Sequence, residues 1–96
     1  MRRCYIVSYD IANDKRLRKV ADVMKAYGTR IQFSVFRCEL TAMKRARLEQ
    51  ALSAEMNLGK DQVLFIDLGP VPGRGDECVT SLGRKYIEPE HGQIVY

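Results

Sequence analysis

The clearest candidate for chemistry in this sequence is Asp10. It closes the run Cys4-Tyr5-Ile6-Val7-Ser8-Tyr9-Asp10-Ile11, whose β-branched and aromatic residues favour a pleated, half-buried strand. Aspartate is a poor strand residue and avoids burial unless it is paired or liganded. It belongs at the strand's C-terminal end, where loops gather and functional groups concentrate. Two readings stand: a turn Asp that caps the next helix, or a carboxylate that works on a substrate. The other candidates are weaker. His91 is the only His, and it falls in a loop marked by Pro89 and Gly92. Ser8 and Ser34 have no partnered His–Asp arrangement in view. Asp67 lies in an apolar strand, where a hydrogen-bonded structural role is favoured over metal ligation. Cys4, Cys38 and Cys78 are odd in number and form no C-x-x-C pair, so they read as thiols of a reducing compartment and not as a zinc site.

The elements that must position Asp10 can be read along the chain. Asn13 or Asp14 is a good N-cap, because a short polar side chain accepts a bond from a free helix N–H. Leu17, Val20, Ala21, Met24 and Tyr27 then recur at helical spacing, and Gly28 supplies a stop, which predicts a helix over 14–27. Its first turn is basic, with Lys15, Arg16 and Arg18. Cations oppose the helix dipole there, which points to a bound anion or to a solvated basic face. Residues 30–40 contain no Gly, Pro or Asn and read as one long strand or as a hairpin with an unusual turn near Ser34. Thr41 caps a second helix with Leu48, Ala51, Leu52 and Met56 on its core face, ending near Asn57-Leu58-Gly59. Asp61 opens the next strand, and the near-continuous apolar run 62–68 predicts a central strand covered on both faces. Residues 69–76 form a turn-rich loop with neither a dinucleotide-binding nor a Walker pattern. A weak strand over 79–87 and a short apolar strand at 93–96 close the chain. That last strand fits a sheet edge, its own or a partner subunit's.

At 96 residues the chain is expected to form one domain, 1–96, with a thin core that a dimer would help. No apolar run approaches the roughly 20 residues that span a bilayer, and Met1-Arg2-Arg3 leads straight into a strand, so a cytoplasmic protein without membrane contact is expected. The net charge of +4 is uneven. Residues 1–47 hold 12 Lys and Arg against 4 Asp and Glu, and residues 48–96 hold 4 against 8. A basic half suggests a polyanionic partner, most often nucleic acid. The element order β-α-β-β-α-β fits an α+β, ferredoxin-like sandwich, a fold that leaves function to its site.

The strand ending in Tyr9-Asp10, the Arg16/Arg18 pair and the string Arg30-Ile31-Gln32-Phe33-Ser34-Val35-Phe36 together resemble the Cas2 family of CRISPR spacer acquisition. The likeness continues through 63–68, Ser81-Leu82-Gly83 and Ile94-Val95-Tyr96. It implies a ferredoxin-like homodimer with the C-terminal strand crossing to the partner, and a break of 30–40 into two arms near Ser34. It implies an Mg²⁺- or Mn²⁺-dependent endonuclease acting on single-stranded RNA or double-stranded DNA, and a DNA-holding centre for a Cas1-type integrase. Asp10 becomes the metal-binding catalytic carboxylate. Arg16, Arg18 and Arg30 become nucleic-acid contacts, and Tyr9 and Phe36 supporting residues.

Phosphodiester cleavage needs charge neutralisation on the phosphate and an activated water, and Mg²⁺ favours carboxylate and water ligands. One Asp per chain is a poor site. A two-fold axis that sets Asp10 beside its symmetry mate supplies two carboxylates for one shared ion. Two further readings stand beside the nuclease: a non-catalytic DNA-binding adaptor, and a related ferredoxin-like toxin ribonuclease. Tyr5, Tyr9, Phe33 and Phe36 could stack bases, but packing is the better expectation for most of them.

Overall fold

Alternation along the strands decides which side of the sheet each residue serves. The computed structural model describes residues 1–73 and 79–84. In β1 (Arg3–Asp10), Tyr5, Val7 and Tyr9 turn to one face and are buried. The elements that follow are α1 (Asp14–Tyr27), β2 (Thr29–Gln32), β3 (Val35–Leu40), α2 (Ala42–Glu55) and β4 (Gln62–Pro70). The sheet runs β2-β3-β1-β4 with every neighbouring pair antiparallel. This is the ferredoxin-like β-α-β-β-α-β order. The expected C-terminal strand at 93–96, His91 and Cys78 lie outside the described residues. Of the weak strand expected over 79–87, residues 79–84 are loop.

Both helices cover the same face. Val20 and Met24 of α1, Leu48 and Leu52 of α2, and Tyr5, Val7, Tyr9, Phe36, Cys38 and Leu40 of the two central strands form one buried cluster. Each large side chain buried there is worth roughly 1.5–3 kcal/mol relative to exposure. The expected caps are present. The Asn13 side chain accepts from the Arg16 N–H at 3.0 Å, and the Thr41 hydroxyl accepts from the Lys44 N–H at 3.2 Å.

One open choice is settled and two local expectations change. The long stretch 30–40 is a hairpin, with Phe33 and Ser34 between β2 and β3. No non-glycine residue there takes a positive φ, and the turn is held from outside. The Tyr9 N–H donates to the Ser34 carbonyl at 3.1 Å, and the Tyr9 hydroxyl donates to the Phe33 carbonyl at 3.4 Å. Among the described residues the run 62–68 is not a central strand covered on both faces: β4 stands at the end of the described sheet, and Leu64 and Ile66 are each 49% exposed. Finally, α2 stops at Glu55 with Met56 as its cap, before Gly59. At the end of α1, Gly28 is extended rather than left-handed. Its need is space, since a Cβ there would stand 2.6 Å from the Arg37 carbonyl oxygen and collide with the Cys38 sulfur.

Candidate functional site

Asp10 ends β1 opposite Gln62 of β4. Because Tyr5, Val7 and Tyr9 face the helices, Ile6, Ser8 and Asp10 alternate onto the open face. The register sets Ile66 beside Ile6 and Leu64 beside Ser8, so Asp10 stands at the end of an apolar patch that the described residues leave open. The Asp10 residue is exposed, and its carboxylate makes no hydrogen bond or ion pair with the described residues. It does not cap α1, a role that Asn13 fills. Among the described residues no three His, Cys, Asp or Glu gather into a metal-binding group.

Tyr9, Arg30 and Phe36 come together on the other face. The Tyr9 and Phe36 rings stack with centroids 6.2 Å apart at 30°. The Arg30 guanidinium lies over Phe36 at 5.3 Å and over Phe33 at 5.9 Å, a cation–π arrangement. Its Nε is enclosed without a hydrogen-bond partner among the described residues. Phe36 is fully buried and Tyr9 nearly so, so both pack and fix the turn. Phe33 is 74% exposed at its tip. This turn and Asp10 share one end of the sheet, because Ser34 bonds to the residue before Asp10.

Arg16 and Arg18 part company. Arg18 is exposed on α1 and makes no ion pair among the described residues. The Arg16 guanidinium instead meets Asp61 with both ends, Nε donating to Oδ2 at 2.8 Å and Nη2 to Oδ1 at 3.0 Å. The anion that the basic start of α1 points to is, for Arg16, a carboxylate of the same chain. Asp61 also accepts the Ala12 N–H at 2.9 Å and the Asn57 N–H at 2.8 Å. Its side chain is 0% exposed. The Arg16 hydrogen bonds, aided by the two backbone donors against the opposing effect of burial, hold its carboxyl well below the usual carboxylate range. Sequence reading treats Asp61 only as the residue that opens a strand. One signal was available: an acid set between a Gly-containing turn and an apolar strand must find a partner if it is enclosed.

Two further groups resolve simply. Asp67 is bound by Arg3, whose Nε donates to it at 2.9 Å, and by the Gly69 N–H at 2.8 Å, which is the structural role. Arg45 of α2 lies over Tyr5 at 4.8 Å and over Phe65 at 4.2 Å and pairs with Glu49 at 3.0 Å, sealing the core beneath it. No helix among the described residues is long and apolar enough to cross a membrane.

Known proteins share this fold. The family model for CRISPR associated protein Cas2 matches residues 2–70. The chain is 42% identical over 91 residues to CRISPR-associated endoribonuclease Cas2 1 of Rhodospirillum rubrum, covering 95% of this chain and 88% of that protein. A hypothetical protein of Thermus thermophilus superposes with a TM-score of 0.76 at 34% identity, over 91% of this chain and 98% of the other. The Cas2 structure from Streptococcus pyogenes gives a TM-score of 0.69 at 29% identity, over 83% and 99%. On the strength of the matched family model and the extent of these likenesses, the chain belongs to the CRISPR-associated Cas2 family.

Proposed function

We propose that the chain is a Cas2-type endonuclease that cleaves phosphodiester bonds with an Mg²⁺ or Mn²⁺ ion shared between the Asp10 carboxylates of a homodimer. The carrying observation is that Asp10 is an exposed carboxylate without a partner among the described residues, at the end of an apolar sheet face that those residues leave open. A hard, oxygen-seeking cation suits such a carboxylate. A second copy laid on the open face would cover Ile6, Leu64 and Ile66 and bring the second Asp10. When bound, the ion supplies charge neutralisation at the phosphate and acidifies water. Asp10 holds and orients it. Arg18, and the exposed edge of the Arg30–Phe33 stack, hold the polyanion in register. The Rhodospirillum rubrum relative is named an endoribonuclease, which supports RNA as one substrate. Double-stranded DNA is the other.

The test is cleavage by Asp10→Ala protein freed of contaminating nucleases, on single-stranded RNA and duplex DNA. Loss of a ligand worth several kcal/mol of transition-state stabilisation predicts a fall of at least about 10²-fold. Cleavage at the wild-type rate would overturn the proposal. Stability should change by less than about 0.5 kcal/mol, because Asp10 holds nothing among the described residues.

A second reading rests on the helices. Lys15, Arg18, Lys19, Lys44 and Arg47 are all exposed on them. Such a surface suits phosphate contacts without sequence reading, the task of a cytoplasmic adaptor that holds duplex DNA for a Cas1-type integrase. Spacer acquisition retained by Asp10→Ala, with cleavage lost, would make the adaptor the physiological role.

A further inference from the structure

We infer that Asp61 is a positioning residue for Asp10, and that Arg16 acts through Asp61 instead of contacting a phosphate. The inference rests on the reading of Asp10 given above.

Asp10 is bracketed from both sides. On one side it pairs with Gln62, the residue that follows Asp61. On the other, the chain leaves β1 through Ile11 and Ala12, and the Ala12 N–H is tied to Asp61 at 2.9 Å. One carboxylate thus sets the neighbours of Asp10 in both strands. The same carboxylate binds the Asn57 N–H at 2.8 Å, which fixes the exit of α2, and both ends of Arg16, which fixes the first turn of α1. Four donors around one carboxylate satisfy most of its acceptor capacity. The Asp61 side chain is fully enclosed and that of Arg16 is only 27% exposed. For Arg16 to reach for a phosphate it would have to leave Asp61, and an enclosed carboxylate would lose its counter-charge. Arg18 carries no such obligation among the described residues. Two arginines two residues apart on one helix are thereby assigned different work.

A site shared across a two-fold axis would need such a clamp. Any shift in the β1–α1 corner would be repeated in both subunits, so the separation of the two carboxylates would change by up to twice the shift. Misplacement of a reacting group by about 1 Å can cost on the order of 10²-fold in rate.

The experiment compares Arg16→Gln, Arg18→Gln and Asp61→Asn in the full chain. Binding to duplex DNA and to a single-stranded RNA oligonucleotide is followed across a salt series, and kcat and KM are measured with Mg²⁺ present. Arg16→Gln is expected to lower kcat by about 10²-fold while KM and the salt slope of binding stay at wild-type values. Arg18→Gln is expected to weaken binding, raise KM, and reduce the salt slope by about one. Asp61→Asn should match Arg16→Gln, and the double variant should be no worse than either, because both changes break one unit. Amide exchange at Ala12 and Asn57 should quicken in both variants and not in Arg18→Gln. Should Asp61→Asn fail to fold, Arg16→Gln and the partial rescue expected from Arg16→Lys carry the same test. A salt slope reduced by about one in Arg16→Gln, with kcat intact, overturns the inference, as does additivity of the two losses. Asp10→Ala that still cleaves overturns the reading of the active carboxylate instead, a result separate from the salt slope and the exchange rates.

Discussion

The sheet face under the helices and the face turned away from them come from the same alternating strands. Under the helices, Tyr5, Val7, Tyr9, Phe36, Cys38 and Leu40 are buried against α1 and α2. On the far face, Leu64 and Ile66 remain about half exposed, in register with Ser8 and Ile6, and Asp10 stands beyond them. An apolar strand therefore does not announce whether its own chain covers it. The covered face accounts for stability, whereas the open face carries the carboxylate that no structural role among the described residues has claimed.

The covered face should give the largest losses. Phe36→Ala removes a fully buried ring on which Tyr9 stacks and over which Arg30 lies. It should cost about 3–5 kcal/mol in urea or thermal unfolding. A loss below about 1 kcal/mol would place the core elsewhere. Gly28→Ala comes next. Its new methyl would press on the Arg37 carbonyl at 2.6 Å, and backbone cannot yield as a side-chain tip can. Overpacking of this kind costs about 1–3 kcal/mol. A neutral or stabilising result would mean that α1 and β3 can separate there freely.

Cys38 reports how tightly that face is closed. Burial, with a smaller contribution from Cys4, pushes its thiol up to about 12. The thiolate is the reactive form, so Cys38 should escape a thiol reagent at pH 8 in the native protein and react once urea opens the fold. Peptide mass mapping would identify the modified cysteine. The same shift fixes a pH dependence. The folded state holds the neutral thiol, so its contribution is full below the ordinary thiol pKa near about 8.5. It is lost as pH rises from there through about 12. Stability that increases over that range in wild type and not in Cys38→Ala would contradict the sign.

Much of this was legible in the sequence because it is local. The bounds of α1 follow from helical periodicity and a capping Asn13, and Thr41 caps α2 for the same reason. The exposed place of Asp10 follows from the reluctance of aspartate to be buried. What was not legible depends on partners distant along the chain. The hairpin turn at Phe33 and Ser34 has no turn-forming residue, and Tyr9 holds it from β1. Asp61 reads as an ordinary strand start because Arg16 lies 45 residues away. β4 reads as a central strand because its apolar run is continuous, although one side of that run is uncovered by the described chain.

The smallest effect on folding should accompany the sharpest effect on assembly. Leu64→Lys and Ile66→Lys place a charge on the open face without emptying any part of the helix-covered core. A lysine keeps its head in water while its stem lies along apolar surface, so monomer stability should change by about 0.5 kcal/mol or less. If a second copy covers this face, each charge would be buried there without a partner, and the dimer should dissociate in sedimentation or light scattering. Cleavage should fall with it, although Asp10 and its corner are untouched. Cleavage that persists in a protein shown to be monomeric would mean that one Asp10 suffices, and the shared ion would be wrong. Cleavage and dimer lost together, in a chain that unfolds at its wild-type urea midpoint, would assign the open face to association and the covered face to stability.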